Sequence, residues 1–273
     1  MWQAPQHPLT RVVVAFHGFG RPCEEMLAYL PLYEEGTAML SVGVAHQNGS
    51  HPPLDGPTQA VLKPEHMATT LDAWLEDLVG TNLQNICLEL LGYSLGGRIA
   101  MALLECQPER WNGLTLLAPD GFKKNTLYRF VVETAAGRAS WIWMDRHASG
   151  IRALIRSLRR ARILPAHFEH FALHHTEDHE MRTLVSNTWM TNRMFWPTKV
   201  GMHRSWTQMA QLGGHVHVVF GDRAAIIPRS WARGWDQLVD HPQVRFLTIP
   251  AGHVMHHISI VQSLKRTIFP SDD

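Results

Sequence analysis

Short apolar runs alternate along the chain with longer stretches whose apolar residues recur every three to four positions. Residues 12–16 form a β-branched run closed by His17-Gly18, and residues 39–45 form another. Between 66 and 79, Met67, Leu71, Trp74, Leu75 and Leu78 fall at helical spacing, which predicts an amphipathic helix. The pattern then predicts a buried strand at 86–91, a helix at 95–105 and a strand at 111–118. Later come strands at 215–220 and 244–249, a helix near 228–238, and a last helix at about 258–268. Such alternation implies βαβ units, hence a mostly parallel sheet covered by helices on both faces.

The interval 121–210 breaks this rhythm, with helical patterns and no convincing strand. Ile151, Leu154, Ile155 and Leu158 make an apolar stripe, while Arg152, Arg156, Arg159 and Arg160 crowd the other side. The expected organisation is a core domain of residues 1–120 and 211–273, with 121–210 inserted as a helical cap over the carboxyl edge of the sheet. That edge is where doubly wound folds hold their ligands.

Composition narrows the function classes. The 273 residues carry a net charge of +1, with 45% hydrophobic and 18% charged residues, so no global charge points to nucleic acid or an anionic surface. No apolar window is long enough to span a membrane, and the first residues lack a basic start followed by an apolar stretch. A cytoplasmic protein acting on a small-molecule substrate is expected; oligomeric state is not readable. Cys23, Cys87 and Cys106 have no metal-type spacing, and Cys87 and Cys106 read as core residues.

The chemistry concentrates in three short motifs. In Gly92-Tyr93-Ser94-Leu95-Gly96, glycines two positions either side of a serine permit a sharp strand-to-helix turn that exposes the hydroxyl. The preceding ICLELL reads as strand and the following RIAMALLE as helix. His17-Gly18-Phe19-Gly20 follows the first clear strand, where the N–H groups of Phe19 and Leu95 could receive a developing oxyanion. Pro250-Ala251-Gly252-His253 follows the last strand, so His253 is the candidate general base among 18 histidines.

HGFG, GYSLGG and AGH, in this order, resemble the α/β-hydrolase superfamily, in particular its cap-bearing single-domain members. Gly49-Ser50 after the second strand also fits that resemblance. It implies a Ser–acid–His triad built on Ser94 and His253, an oxyanion hole at Phe19 and Leu95, and neither cofactor nor metal. The acid is the departure. The family's usual Gly-x-x-Asp after the penultimate strand reads Gly221-Asp222-Arg223-Ala224 here. Asp120, in Ala118-Pro119-Asp120-Gly121 after the preceding strand, is the preferred carboxylate, since some members of the superfamily carry it there. Asp222 is the alternative, and an acid elsewhere or none stays open. The bland reading of Asp120 is a turn residue before Gly121.

Weaker features have plainer readings. His174, His175 and His179 do not match a metalloprotease helix, because Thr176 stands where the glutamate should be. The arginine-rich stretch 151–162 reads as a solvated face before it reads as an anion clamp. Trp141, Trp143, Trp189 and Trp196 read as cap packing, or as the lining of an acyl pocket. The expected function is hydrolysis of a carboxylic ester or related acyl compound through an acyl-enzyme on Ser94. The alternatives are a carbon–carbon bond hydrolase, a lyase resembling the menaquinone-pathway synthase (which Arg98 after the elbow also fits), or a non-catalytic ligand-binding member of the fold.

Overall fold

The structure is a computed structural model that describes residues 1–5, 8–47, 49–50, 61–124, 126–147, 149–150, 153, 157, 160 and 179–269. Its seven strands are β1 (Trp2–Gln3), β2 (Arg11–Phe16), β3 (Thr37–Val42), β4 (Cys87–Tyr93), β5 (Gly113–Leu117), β6 (His215–Gly221) and β7 (Val244–Ile249). They form one sheet in the order β1-β3-β2-β4-β5-β6-β7. All pairs are parallel except β1 with β3.

Alternate residues of β2 feed two separate apolar layers, as the two-residue period of a strand dictates. Val12, Val14 and Phe16 face helices α1 (Pro64–Val79) and α2 (Leu95–Cys106), while Val13 and Ala15 join the tightly wound 3₁₀-helix Cys23–Leu32 on the other face. That second layer is completed by a C-terminal helix, Ile258–Ile268, through Val261, Leu264 and Ile268. The parallel sheet flanked by helices agrees with the sequence pattern, and Val244–Ile249 and Ile258–Ile268 fall where it puts them.

Four local differences have physical causes. Trp74 and Leu78 are exposed, so α1 buries only the narrower stripe of Ala68, Leu71 and Leu75. The segment 228–238 is not a continuous helix: a short turn at Arg229–Ala232 ends before Gly234, whose φ of 74° lies in the left-handed region. Trp2–Gln3 and Cys23–Leu32 carry no periodic pattern to read, one being two residues long and the other a tight helix with Pro31 inside.

The chain divides into two compact units. The first comprises residues 1–52, 62–123 and 194–273; the second comprises 53–61 and 124–193. In the second unit the longer described helices are α3 (Ala135–Arg146) and α4 (His179–Thr191), preceded by short helical segments at Thr126–Tyr128 and Arg129–Glu133. There Trp189 meets Tyr128 edge-on at 5.2 Å and lies 6.1 Å from Trp141. Trp143 instead is exposed and stacks on His147 at 4.8 Å. Helix α5 (Lys199–Gln211) falls in the first unit, where Met202, Trp206 and Met209 join the core. The arginine stripe at 151–162 lies largely outside the described residues, as do His174 and His175.

At the amino ends of the strands, opposite the edge that carries Ser94, a buried polar group crosses the sheet. Arg11 Nε lies 2.9 Å from Glu89 Oε1, His215 Nε2 lies 3.5 Å from Glu89 Oε2, and His215 stacks on His217 at 4.6 Å. Burial, with help from His215 and Arg245, pushes the His217 imidazole down to about 3. The folded chain therefore keeps His217 neutral where the unfolded chain protonates it, and stability falls as pH drops below the ordinary imidazole range. From this residue the loss is about 1.4 kcal/mol per pH unit until about 3 is reached. Urea unfolding at pH 7 and pH 5 should show a smaller drop in His217→Phe than in the wild type; equal drops would refute this account.

Candidate active site

The chain reverses sharply between β4 and α2. Ser94 sits at φ 52°, ψ −116°, outside the ordinary regions for a residue with a side chain. Two glycines make the reversal possible. A Cβ on Gly92 would lie 2.6 Å from Gly97 Cα, and one on Gly96 would collide with the Phe16 carbonyl of β2. The Ser94 N–H donates to the Leu117 carbonyl of β5 at 3.0 Å, which fixes the turn to the neighbouring strand.

The loop after β2 is seated on this turn. A Cβ on Gly18 would lie 2.8 Å from the Tyr93 ring and 3.2 Å from Ser94 Cβ. His17 braces the loop from within. Its Nε2 accepts from the Val44 N–H at 2.9 Å, so Nδ1 carries the proton and donates to the Gly18 carbonyl at 2.8 Å. Burial lowers the His17 pKa, consistent with this neutral form. The Gly20 N–H donates to Gln47 Oε1 at 2.7 Å. Phe19 lies between these anchors, and Leu95 opens α2, where a first-turn N–H has no intrahelical acceptor. Leu95 directly follows Ser94, and Phe19 follows Gly18, which packs on Ser94.

His253 arrives in the loop after β7. Its Nε2 stands 3.1 Å from Ser94 Oγ. Tyr93, the residue before the serine, donates its hydroxyl to the His253 carbonyl at 3.1 Å and sets its ring 5.5 Å from the imidazole. Burial lowers the His253 pKa, and the charge of Asp120 partly restores it. His253 Nδ1 is buried with no hydrogen-bond partner among the described residues.

The two candidate carboxylates stand in different surroundings. The Asp120 N–H donates to the Ser94 carbonyl at 2.9 Å, so its loop is tied to the Ser94 turn itself. Asp120 Oδ1 accepts from the Gly121 N–H at 2.8 Å, and Oδ2 lies 3.6 Å from Arg98 Nη1. Asp222 is half exposed, and its carboxylate faces the adjacent Arg223 Nε at 3.4 Å. Ala224 is buried. Ser94, His253 and Asp120 are gathered at one strand edge, with Asp120 acting on the imidazole through its field. Sequence reading gave Tyr93 no role of its own and named Arg98 only for its fit to the lyase-type resemblance, since neither the burial of Arg98 nor its place beside Asp120 shows in a motif or a periodic pattern. Trp196, grouped with the insertion from sequence, belongs to the first unit and lies 4.6 Å from the Arg98 guanidinium. Among the described residues no His, Cys, Asp and Glu cluster could hold a metal ion, and no helix is long and apolar enough to cross a membrane.

This arrangement of sheet, turn and loops is the α/β-hydrolase fold, and solved structures carry the same one. MGS-M2, an alpha/beta hydrolase enzyme from a Medee basin deep-sea metagenome library, is similar with a TM-score of 0.61 and 9% identity, over 97% of this chain and 90% of that one. A probable hydrolytic enzyme from Pseudomonas aeruginosa PAO1 is similar with a TM-score of 0.59 and 17% identity, over 97% and 87%. MenH from S. aureus is similar with a TM-score of 0.57 and 12% identity, over 97% and 93%. No protein-family profile matches the chain, and no curated protein matches it by sequence.

The surroundings of His253 lead to a measurable sign. With burial the larger influence and Asp120 the opposing one, the imidazole should titrate below the ordinary range, and Asp120→Asn should lower it further. NMR titration of the His253 ring signal, assigned by its loss in His253→Gln, checks this. An upward movement in Asp120→Asn would contradict it.

Proposed function

We propose that this protein is a serine hydrolase acting on a carboxylic ester or related acyl compound. The observation that carries the reading is the 3.1 Å approach of His253 Nε2 to a serine hydroxyl held at a strained strand-to-helix turn. The hydrolytic enzymes sharing the fold are consistent with it, although fold likeness alone does not fix a reaction.

In the proposed mechanism, neutral His253 accepts the Ser94 proton as Oγ adds to the substrate carbonyl carbon. The carbonyl π electrons move onto oxygen, and that oxyanion is received by the N–H groups of Phe19 and Leu95, helped by the positive end of α2. The tetrahedral intermediate collapses, the bond to the leaving group breaks, and the imidazolium returns its proton to that group. Water then repeats the sequence on the acyl-enzyme, with His253 again as base, and releases the acid and free Ser94. Asp120 is the proposed third member, stabilising the imidazolium. Asp222 suits this role less well, being half exposed and faced by Arg223.

Hydrolysis of short p-nitrophenyl esters and labelling by a fluorophosphonate test the reading. Ser94→Ala should abolish both. Asp120→Asn should lower kcat, by less than the roughly 10⁴-fold seen where the triad carboxylate hydrogen-bonds the imidazole, because Asp120 acts on His253 through its charge alone, while Asp222→Asn stays near wild type. Ala224→Asp should bring no gain. Fluorophosphonate labelling that persists in Ser94→Ala would overturn the assignment. Labelling at Ser94 without turnover of any ester would redirect it toward carbon–carbon bond cleavage or elimination on the same serine.

A further inference from the structure

Arg98 lies one turn into α2, four residues beyond Ser94, and is 1% exposed. Burying a guanidinium costs several kcal/mol unless charge and hydrogen-bonding groups compensate it. Two such surroundings are in place. The Asp120 carboxylate lies 3.6 Å from Nη1, and the Trp196 ring lies 4.6 Å from Cζ. A planar guanidinium over an aromatic face is held in a defined plane, which an ammonium on the same stem would not be. The loop that carries Asp120 is packed on the same turn of α2. A Cβ on Gly121 would lie 3.4 Å from Arg98 Cα, and one on Gly97 would lie 2.5 Å from Pro119 Cβ.

We infer that Arg98 is a positioning residue for the carboxylate proposed as the triad acid: lying over Trp196, it holds Asp120 in place where its charge reaches His253. The inference rests on the reading of Asp120 as the triad acid. Asp120 is a quarter exposed, and an aspartate at a loop end can rotate toward water. The Gly121 N–H holds one of its oxygens and Arg98 stands beside the other, so the carboxylate keeps one orientation. Arg98 also offsets part of the Asp120 charge and so limits how strongly Asp120 favours the imidazolium. The charged and titratable groups in this set are Arg98, Asp120, His253 and Tyr93. In this role Arg98 makes no contact with substrate.

A double-mutant cycle on the p-nitrophenyl ester tests the inference. Arg98→Met, of similar length and no charge, should lower kcat on the order of 10- to 100-fold with little change in KM. The acid limb of its kcat/KM profile should move up in pH, because Asp120 then acts on His253 unopposed. Asp120→Asn should move that limb down. In the Asp120→Asn background, Arg98→Met should cost no more than about twofold further, since the two act as one unit. Arg98→Lys should recover part of kcat. If Arg98→Met does not fold, as judged by circular dichroism, Trp196→Leu reads the same coupling. Multiplicative losses, an unmoved acid limb, or a rise in KM alone would overturn the role of Arg98 while leaving the triad intact. A silent Asp120→Asn would overturn the triad reading, and this inference with it.

Discussion

Two segments distant in sequence meet at the main-chain turn around Ser94, at separations that only missing side chains allow. Gly96 rests against the carbonyl at the end of β2, Gly97 against Pro119 beyond β5, and Gly18 against Ser94 itself. Holding Ser94 in its backbone conformation costs on the order of 1–3 kcal/mol, which the surrounding structure must offset. It does so by hydrogen bonds from the Ser94 N–H to β5 and from the Asp120 N–H back to the Ser94 carbonyl. Because Phe16 leads directly into the 17–20 loop and Pro119 into Asp120, the same contacts that strain the serine also set the groups around it. The site is assembled by close packing first and by polar bonds second.

Much of the scaffold was readable because its strands are buried on both faces and so appear as unbroken apolar runs. Residues 12–16 are the example, all fully buried, whereas 258–268 was readable as a strongly amphipathic helix. Reading failed where spacing and conformation part company. Trp231, Trp235 and Leu238 are spaced as on a helix, yet Gly234 takes a positive φ between them and the segment turns instead. The strand Trp2–Gln3 is too short to show a period, and the helix Cys23–Leu32 has a pitch that makes no 3.6-residue stripe.

Within the site, Ser94 and His253 were legible from chain order and their glycine-rich surroundings. The choice between Asp120 and Asp222 was not decidable at that level, since both are aspartates just past a parallel strand. Their difference is three-dimensional: one loop is bonded to the Ser94 turn, and the other carboxylate stands half in solvent beside Arg223. Arg98 was harder still. Helix α2 is buried from Leu95 to Leu104, so it has no polar face against which a charged residue could be judged out of place.

A carboxylate at the end of β5 also changes what is asked of the loop that follows β6. Residues 222–227 then need not hold a charge at a fixed distance from an imidazole. Their remaining duty is to back the last loop, through the Arg223 N–H to the Ala251 carbonyl at 3.0 Å and its guanidinium to the Pro250 carbonyl at 2.9 Å. Beyond Arg223, Ala224 and Ile227 are buried, while Ala225 and Ile226 between them face solvent, Ile226 at 65% exposure. A stretch relieved of chemistry but adjacent to it is where length and side chains are free to diverge. In this chain, Ala225 and Ile226 can change without touching the residues proposed to break the bond.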